Sequence, residues 1–282
     1  MSRRGRVLII AGSDPIAGAG LQADLKTVTA LGGYGMTAVT AITVQDSAQL
    51  FQVVPMTADL VMAQAQACLK DVGADCIKLG MLATTDIVLA VADLLRHYPS
   101  IPVVADPVLR SSDGSLLLDE TAQSPLYHQL LPHVTLLTPN IPEAEQLTGR
   151  TITPANSQTD KEQAARQLAQ QGPMVLLKGG HLAEDPVTDL WFDHRQLIWL
   201  RAPRQAVAAG FHGTGCTLAA AIAAGIACGH TATTAVRLAH ATVQMAMADA
   251  VDWGRGQRLL RVTANAVEPC APTRSNPTHP RP

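Results

Sequence analysis

The sequence predicts an α/β fold, a mainly parallel central sheet with helices packed on both of its faces. Two features of the chain point there. Short runs rich in Val, Ile and Leu alternate with helical segments from residue 76 onward, and such alternation implies parallel strands joined by crossover helices. Turn-forming Gly, Pro, Asn or Asp residues also follow most of the apolar runs, as expected where strands feed a loop-built edge.

The elements can be taken in order. Residues 6–11 are a short apolar run read as a buried strand, followed by a Gly-rich loop at 12–20 and a helix over 21–31 that stops at Gly32-Gly33. Residues 34–44, rich in Val, Ile and Thr, form a second strand, and 51–54 a short third. A helix opens at Thr57 with Asp59 in its first turn. Strand 76–79, helix 84–98 and strand 103–105 come next, then strand 134–137 and a helix over 141–149 with Pro142 near its start. A helix over 160–171 and a strand over 174–178 lead to two antiparallel strands, 189–192 and 196–200, joined at Asp193-His194-Arg195. Helices over 217–229 and 231–250 complete one domain spanning 1–262. From residue 263 the composition shifts to Pro, Ala, Thr, Asn and Arg without periodicity, which predicts a disordered tail over 263–282.

Bulk properties exclude several classes. With 282 residues, 47% hydrophobic and 16% charged, the chain can bury a core of its own. A formal net charge of -2, with both signs interspersed, argues against a nucleic-acid groove or an acidic membrane surface as partner. The basic opening Ser2-Arg3-Arg4-Gly5-Arg6 precedes an apolar run too short for a signal segment, and the longest apolar stretch, 218–228, is too short to span a bilayer. Five cysteines (Cys68, Cys76, Cys216, Cys228, Cys270) form an odd set without metal-ligand spacing, and three of them stand in apolar surroundings. Reduced thiols in a cytoplasmic protein are the expectation.

In open α/β sheets, ligands bind beyond the carboxyl ends of the strands. The candidate site segments all lie after a predicted strand or at the start of a helix. The strongest is His212-Gly213-Thr214-Gly215-Cys216-Thr217, ahead of a long small-residue helix. A helix amino terminus carries unpaired N–H groups and a positive dipole end, and the glycines let several N–H groups converge on an anion. A thiol at that terminus, ordinarily near pKa ~8.5, is expected to be lowered there, so Cys216 could serve as a base. An ordinary Gly-rich turn with a cysteine filler fits the pattern equally well.

Asn140 and Glu143, three apart on a first helical turn, suit either Mg²⁺-bound phosphate or plain capping, and capping is the reading the pair alone favours. Lys178, before Gly179-Gly180, offers a point charge for phosphate or is a solvated strand end. Asp106, before Pro107, is a site carboxylate or a turn residue. Gly18-Ala19-Gly20-Leu21-Gln22-Ala23 matches the loose dinucleotide fingerprint, so an NAD-dependent oxidoreductase is a rival of another class. The first glycine lies six residues past the predicted strand end, and Ser13-Asp14-Pro15 has no place in a pyrophosphate turn, so the rival fits poorly.

Taken together, these segments resemble the hydroxymethylpyrimidine/phosphomethylpyrimidine kinases, enzymes of thiamine biosynthesis with a ribokinase-like three-layer sandwich. The resemblance covers about residues 6–255. Its carriers include Ile10-Ala11-Gly12-Ser13-Asp14-Pro15, Gly18 to Lys26, Tyr34-Gly35-Met36, Ile77-Lys78-Leu79-Gly80-Met81-Leu82, Asp106-Pro107-Val108, Thr138-Pro139-Asn140, Lys178-Gly179-Gly180-His181 and the 212–217 turn. It implies ATP and Mg²⁺ as cofactors, a small-molecule pyrimidine substrate, two successive phosphorylations and a homodimer. It further implies Cys216 as general base, and Gly213, Thr214, Gly215 and Cys216 as the anion hole. Gln45 would read the pyrimidine edge, with Gly12, Ala19 and Met81 lining the ring pocket. Asp106, Asn140 and Glu143 would handle Mg²⁺ and phosphates, and Lys178 would neutralise charge. The chain departs from the family at Gly210-Phe211, where an Asn-Thr pair is usual, and in a more charged 109–114 segment. A pyridoxal kinase of the same fold, and a pyrimidine-binding sensor without turnover, are the alternatives to the main reading.

Overall fold

The computed structural model describes residues 5–111, 114–205 and 207–263. Its strands are β1 (Arg6–Ser13), β2 (Tyr34–Gln45), β3 (Leu50–Pro55), β4 (Cys76–Leu79), β5 (Val103–Ala105), β6 (Leu136–Leu137), β7 (Met174–Leu177), β8 (Val187–Phe192) and β9 (Leu197–Ala202). They form one sheet in the order β3-β2-β1-β4-β5-β6-β7-β8-β9. Pairings from β2 through β7 are parallel, while β3 and β8 run antiparallel to their inner neighbours, as does β9 to β8. All parallel strands therefore deliver their carboxyl ends to one edge.

The helices are α1 (Gly20–Ala30), α2 (Ala58–Asp71), α3 (Thr85–His97), α4 (Gln123–Pro125), α5 (Ile141–Thr148), α6 (Ser157–Ala169), α7 (Thr214–Ala227) and α8 (Ala232–Ala248). Thr57, Thr84 and Thr231 cap α2, α3 and α8, each hydroxyl accepting from the third helical N–H. Alternation along the strands divides the helices into two layers. Leu8, Ile10, Ile77, Leu79, Val175 and Leu177 pack against α2, α3, α5 and α6. Val7, Ile9, Cys76, Val104 and Leu176 face α1, α7 and α8. The result is the three-layer sandwich expected from the sequence.

Two strands, Cys76–Leu79 and Val103–Ala105, coincide with their sequence readings; most other starts agree within one residue, and β8 begins at Val187 rather than 189. Helix α7 starts at Thr214 rather than 217, α6 at Ser157 rather than 160, and β6 at Leu136 rather than 134. Residues 120–133 form a succession of short helical turns that the sequence did not announce, since Pro125 and Pro132 interrupt any apolar period there. Two further short strands, β10 (Phe211–His212) and β11 (Arg258–Leu259), pair in parallel apart from the main sheet. The predicted tail, beyond Thr263, lies outside the described residues. No helix among the described residues is long and apolar enough to cross a membrane.

Candidate active site

The loop between β1 and α1 is organised by one carboxylate. Asp14 accepts hydrogen bonds from the N–H groups of Ile16 (3.1 Å), Gly18 (3.0 Å) and Ala19 (2.8 Å), and its Oδ2 lies 3.0 Å from His212 Nε2. Burial pushes the Asp14 pKa up, but the bonds from His212 and from the Ala19 and Ile16 amides outweigh this and hold it below the ordinary carboxylate range. The loop amides a dinucleotide pyrophosphate would need are thus already occupied from within the protein. That removes the oxidoreductase reading of Gly18 to Ala23 on physical grounds.

His212 joins this loop to the start of α7. Gly213 is the N-cap in a left-handed conformation, with φ 81°, and Thr214, Gly215 and Cys216 form the first turn. By helical geometry their N–H groups have no preceding carbonyl to bond, so they point together off the helix end. Residue 213 must be glycine, because a methyl group there would stand 1.9 Å from the Gly18 carbonyl oxygen and 3.1 Å from Ala19 Cα. The β1–α1 loop and the α7 terminus are therefore in direct contact.

On the other side of that terminus lies a charged cluster drawn from three strand ends. Lys178 Nζ donates to Asp106 Oδ1 at 2.8 Å, and Thr138 Oγ1 donates to the same oxygen at 3.1 Å. A methyl group on Gly215 would be 3.1 Å from both Asp106 Oδ2 and Lys178 Nζ, so the cluster abuts the first turn of α7. Asn140 and Glu143 form the complete capping box of α5: Asn140 N donates to Glu143 Oε2 at 2.7 Å and Glu143 N to Asn140 Oδ1 at 2.9 Å. Capping is thus what Asn140 does in this structure, as the pair alone suggested. Glu143 is also electrostatically part of the cluster. Burial first, with help from the Asp106 charge, pushes its pKa up to about 7 against the opposing pull of Lys178. Lys178 is raised in turn, since Asp106 and Glu143 overcome its own burial.

Cys216 corrects one expectation. Its thiol pKa is raised to about 11 rather than lowered. The residue is only half-buried, yet desolvation is the largest influence on it. The positive charge of Lys78 pulls the other way without prevailing, and Asp24 and Asp106 add to the rise. A helix terminus in water stabilises a thiolate; this one is backed by protein and by carboxylates.

Lys78 and Asp24 were missed as site residues. They form a fully buried ion pair, with Nζ 2.7 Å from Oδ2, between the centre of β4 and α1. Lys78 stays charged, because Asp24, Cys216 and Asp106 together outweigh its burial, while burial pushes Asp24 up to about 6. A lysine inside the otherwise apolar strand Cys-Ile-Lys-Leu was the available signal, since such a group requires a buried anionic partner. Replacing Lys78 with Met leaves Asp24 without its cation. Urea unfolding should show a loss of about 3–5 kcal/mol, largely restored when Asp24→Leu is added.

The predicted ring-pocket residues also converge. A methyl on Gly12 would lie 3.0 Å from Met81 Sδ, and one on Gly20 would lie 2.5 Å from the Gly12 carbonyl oxygen, placing Gly12 between Met81 and the end of the Ala19 loop. Gln45, at the end of β2, donates through Nε2 to Thr43 Oγ1 at 3.0 Å, and Thr43 Oγ1 donates to the Ser13 carbonyl at 2.8 Å. Among the described residues no group of three or more His, Cys, Asp or Glu side chains is arranged to hold a metal by itself.

A three-layer sandwich with a helix amino terminus, a lysine and carboxylates meeting at the carboxyl edge of its sheet is the architecture of the ribokinase-like small-molecule kinases that this chain resembles. The phosphomethylpyrimidine kinase family matches residues 14–261, and the chain belongs to that family. A hydroxymethylpyrimidine/phosphomethylpyrimidine kinase of Rhizobium meliloti is 42% identical over 253 residues, which is 89% of this chain and 94% of that protein. The solved phosphomethylpyrimidine kinase of Clostridium difficile superposes with a TM-score of 0.76 at 35% identity, covering 86% of this chain and 100% of that one. A Bacillus subtilis pyridoxal kinase, solved as an ADP complex, superposes with a TM-score of 0.84 at 31% identity, covering 93% of this chain and 99% of that one.

Proposed function

We propose that this kinase transfers the γ-phosphoryl group of ATP to 4-amino-5-hydroxymethyl-2-methylpyrimidine, and then a second one to the monophosphate product, as a step of thiamine biosynthesis in the cytoplasm. The observation that carries this reading is the contact between the Gly213–Cys216 turn and the Asp106–Lys178 pair, in a chain that belongs to the phosphomethylpyrimidine kinase family.

Phosphoryl transfer needs positioning and charge stabilisation more than covalent participation. The hydroxymethyl oxygen forms a bond to the γ-phosphorus, the bond from that phosphorus to the β–γ bridging oxygen breaks, and ADP leaves. The hydroxyl proton passes to the Cys216 sulfur in its thiolate form. The N–H groups of residues 213–216 receive the charge that builds on the migrating phosphoryl oxygens, and Lys178 offsets more of it. Gln45 offers both an amide donor and an acceptor to the pyrimidine edge, while Gly12, Ala19 and Met81 supply apolar walls for the ring.

The donor set fits Mg²⁺. Asp106 and Glu143, hard carboxylates of the same cluster, would hold the ion, and Mg²⁺ is ordinarily held by one or two carboxylates together with phosphates and water. Burial first, and the Asp106 charge after it, raises Glu143, and a divalent cation bound there would favour its ionised form. When bound, the ion supplies charge neutralisation at the phosphates. Asn140 contributes by holding Glu143 in place through the capping box.

The likeness to pyridoxal kinases supports a second substrate reading, and one assay separates the alternatives. Purified protein with Mg-ATP and either hydroxymethylpyrimidine or pyridoxal, followed by mass spectrometry, should give the pyrimidine mono- and diphosphates. Turnover of pyridoxal alone overturns the substrate assignment, and binding without turnover makes the protein a sensor.

The same reading extends to a homodimer. Ile42, Val44, Phe51 and Val54 are exposed on β2 and the edge strand β3, with Ile42 directly opposite Val54. Sedimentation should report a dimer that Ile42→Lys with Val54→Lys converts to monomer; a monomeric wild-type protein removes this assembly.

A further inference from the structure

The segment that follows α8 has no part in the chemistry above, yet it touches both halves of the site. Val251 and Leu259 exchange backbone hydrogen bonds at 3.0 Å each way, closing residues 251–259 into a strap. Its returning arm, β11, pairs with β10 in the register Phe211↔Arg258 and His212↔Leu259, immediately before the Gly213 turn. Phe211, of the Gly210-Phe211 pair, packs against Ala246, Ala250 and Leu260 at the root of the strap. A methyl group on Gly18 would lie 3.0 Å from Leu259 Cδ2, so this arm also braces the β1–α1 loop.

The tip of the strap grips the turn after β2. Gly256 N donates to Ser47 Oγ at 3.0 Å and Gln257 N donates to the Ser47 carbonyl at 2.8 Å. The approach is so close that a methyl group on Gly256 would stand 2.2 Å from the Ser47 carbonyl oxygen and 2.5 Å from Ala48 Cα, and one on Gly254 would stand 2.1 Å from Ser47 Oγ. Ser47 is buried although it sits in a turn. The Arg255–Asp46 ion pair at 2.5 Å is largely solvent-exposed and contributes little. Ser47 is two residues from Gln45.

We infer that this strap is a substrate-positioning element, with Ser47 and Gly256 as the positioning residues that fix Gln45 relative to the phosphate-receiving turn. The sheet alone leaves the β2–β3 turn held from one side. The strap ties it to the strand that leads into α7, so the span between the ring-reading amide and the phosphoryl site is set by one continuous piece of backbone. Displacing a positioning contact by about 1 Å can alter kinetics by up to ~100-fold, so the effect is measurable. The inference rests on the assignment of Gln45 to the pyrimidine.

The test is steady-state kinetics with both substrates varied, plus a melting temperature, on Gly256→Ala, Ser47→Ala, Ser47→Thr and Gln45→Ala. Gly256→Ala should raise KM for hydroxymethylpyrimidine about 10-fold or more, with KM for ATP and kcat near wild type. Ser47→Ala should move the same parameter less, and Ser47→Thr, which keeps the hydroxyl, should stay near wild type. If Gly256→Ala misfolds, Ser47→Ala carries the test alone. Folded Gly256→Ala or Ser47→Ala protein with an unchanged pyrimidine KM overturns the inference, as does an equal rise for ATP, which marks general loosening. Gln45→Ala isolates the underlying assignment. If it leaves the pyrimidine KM unchanged while Gly256→Ala raises it, Gln45 is not the ring reader and the strap still is a pyrimidine determinant.

Discussion

Cys216→Ala should lower kcat by ~100-fold or more, the usual range for loss of a general base. The raised thiol adds a second signature. With its pKa pushed up to about 11, this thiol is overwhelmingly protonated at neutral pH. The basic form is the deprotonated one, so raising the pH increases the competent fraction. Wild-type kcat should climb from neutral into mildly alkaline conditions, and Cys216→Ala should lose that climb along with the rate. Lys78 is the built-in counterweight, a buried cation that draws this thiol down. A variant with near-normal turnover and an unchanged pH profile removes Cys216 from the role of base and leaves the backbone amides to account for catalysis.

Gly213→Ala should be at least as damaging, for a reason that involves no side-chain chemistry. The residue sits at φ 81°, where an L side chain costs roughly 1–2 kcal/mol, and its new methyl would stand 1.9 Å from the Gly18 carbonyl oxygen. Neither neighbour is a flexible side chain that can swing aside. The α7 terminus and the β1–α1 loop have to separate, which turns the amides of residues 214–216 away from the phosphoryl group. Loss of one such donor in other enzymes lowers kcat by ~10²–10³, and that is the expected range here. The melting temperature of the variant distinguishes the cases. A near-native melt with collapsed kcat supports the cradle, whereas undiminished turnover shows that these amides do not receive the phosphoryl charge.

Much of this architecture could be read from the chain because parallel sheets are repetitive. Cys76–Leu79 and Val103–Ala105 are short apolar runs with turn residues on either side, and no other element fits them. Once strands are placed, the residues just past them share an edge by geometry alone, which is why Gly12, Gln45, Met81, Asp106 and Lys178 were identifiable together. Helix starts were less legible. That α7 begins at Thr214 depends on the left-handed Gly213, whose conformation is enforced by a loop nearly two hundred residues earlier. The same distance hid the rest of the site. His212 meets Asp14 across 198 residues and Lys78 meets Asp24 across 54, and no local pattern links members of either pair. The thiol pKa is not legible locally either, because burial and the Asp24 and Asp106 carboxylates prevail over the helix end.

Helix α7 is mostly alanine over its buried length, with Leu218 and Ile222 as its larger side chains, and Gly225 brings it so near α8 that an added methyl would lie 3.0 Å from Ala235 Cβ. Two helices pressed together at that range have no slack in which to tilt. The end of α7 away from Gly213 is therefore clamped against its neighbour, so bulkier residues at position 225 should push the two helices apart and lower the melting temperature.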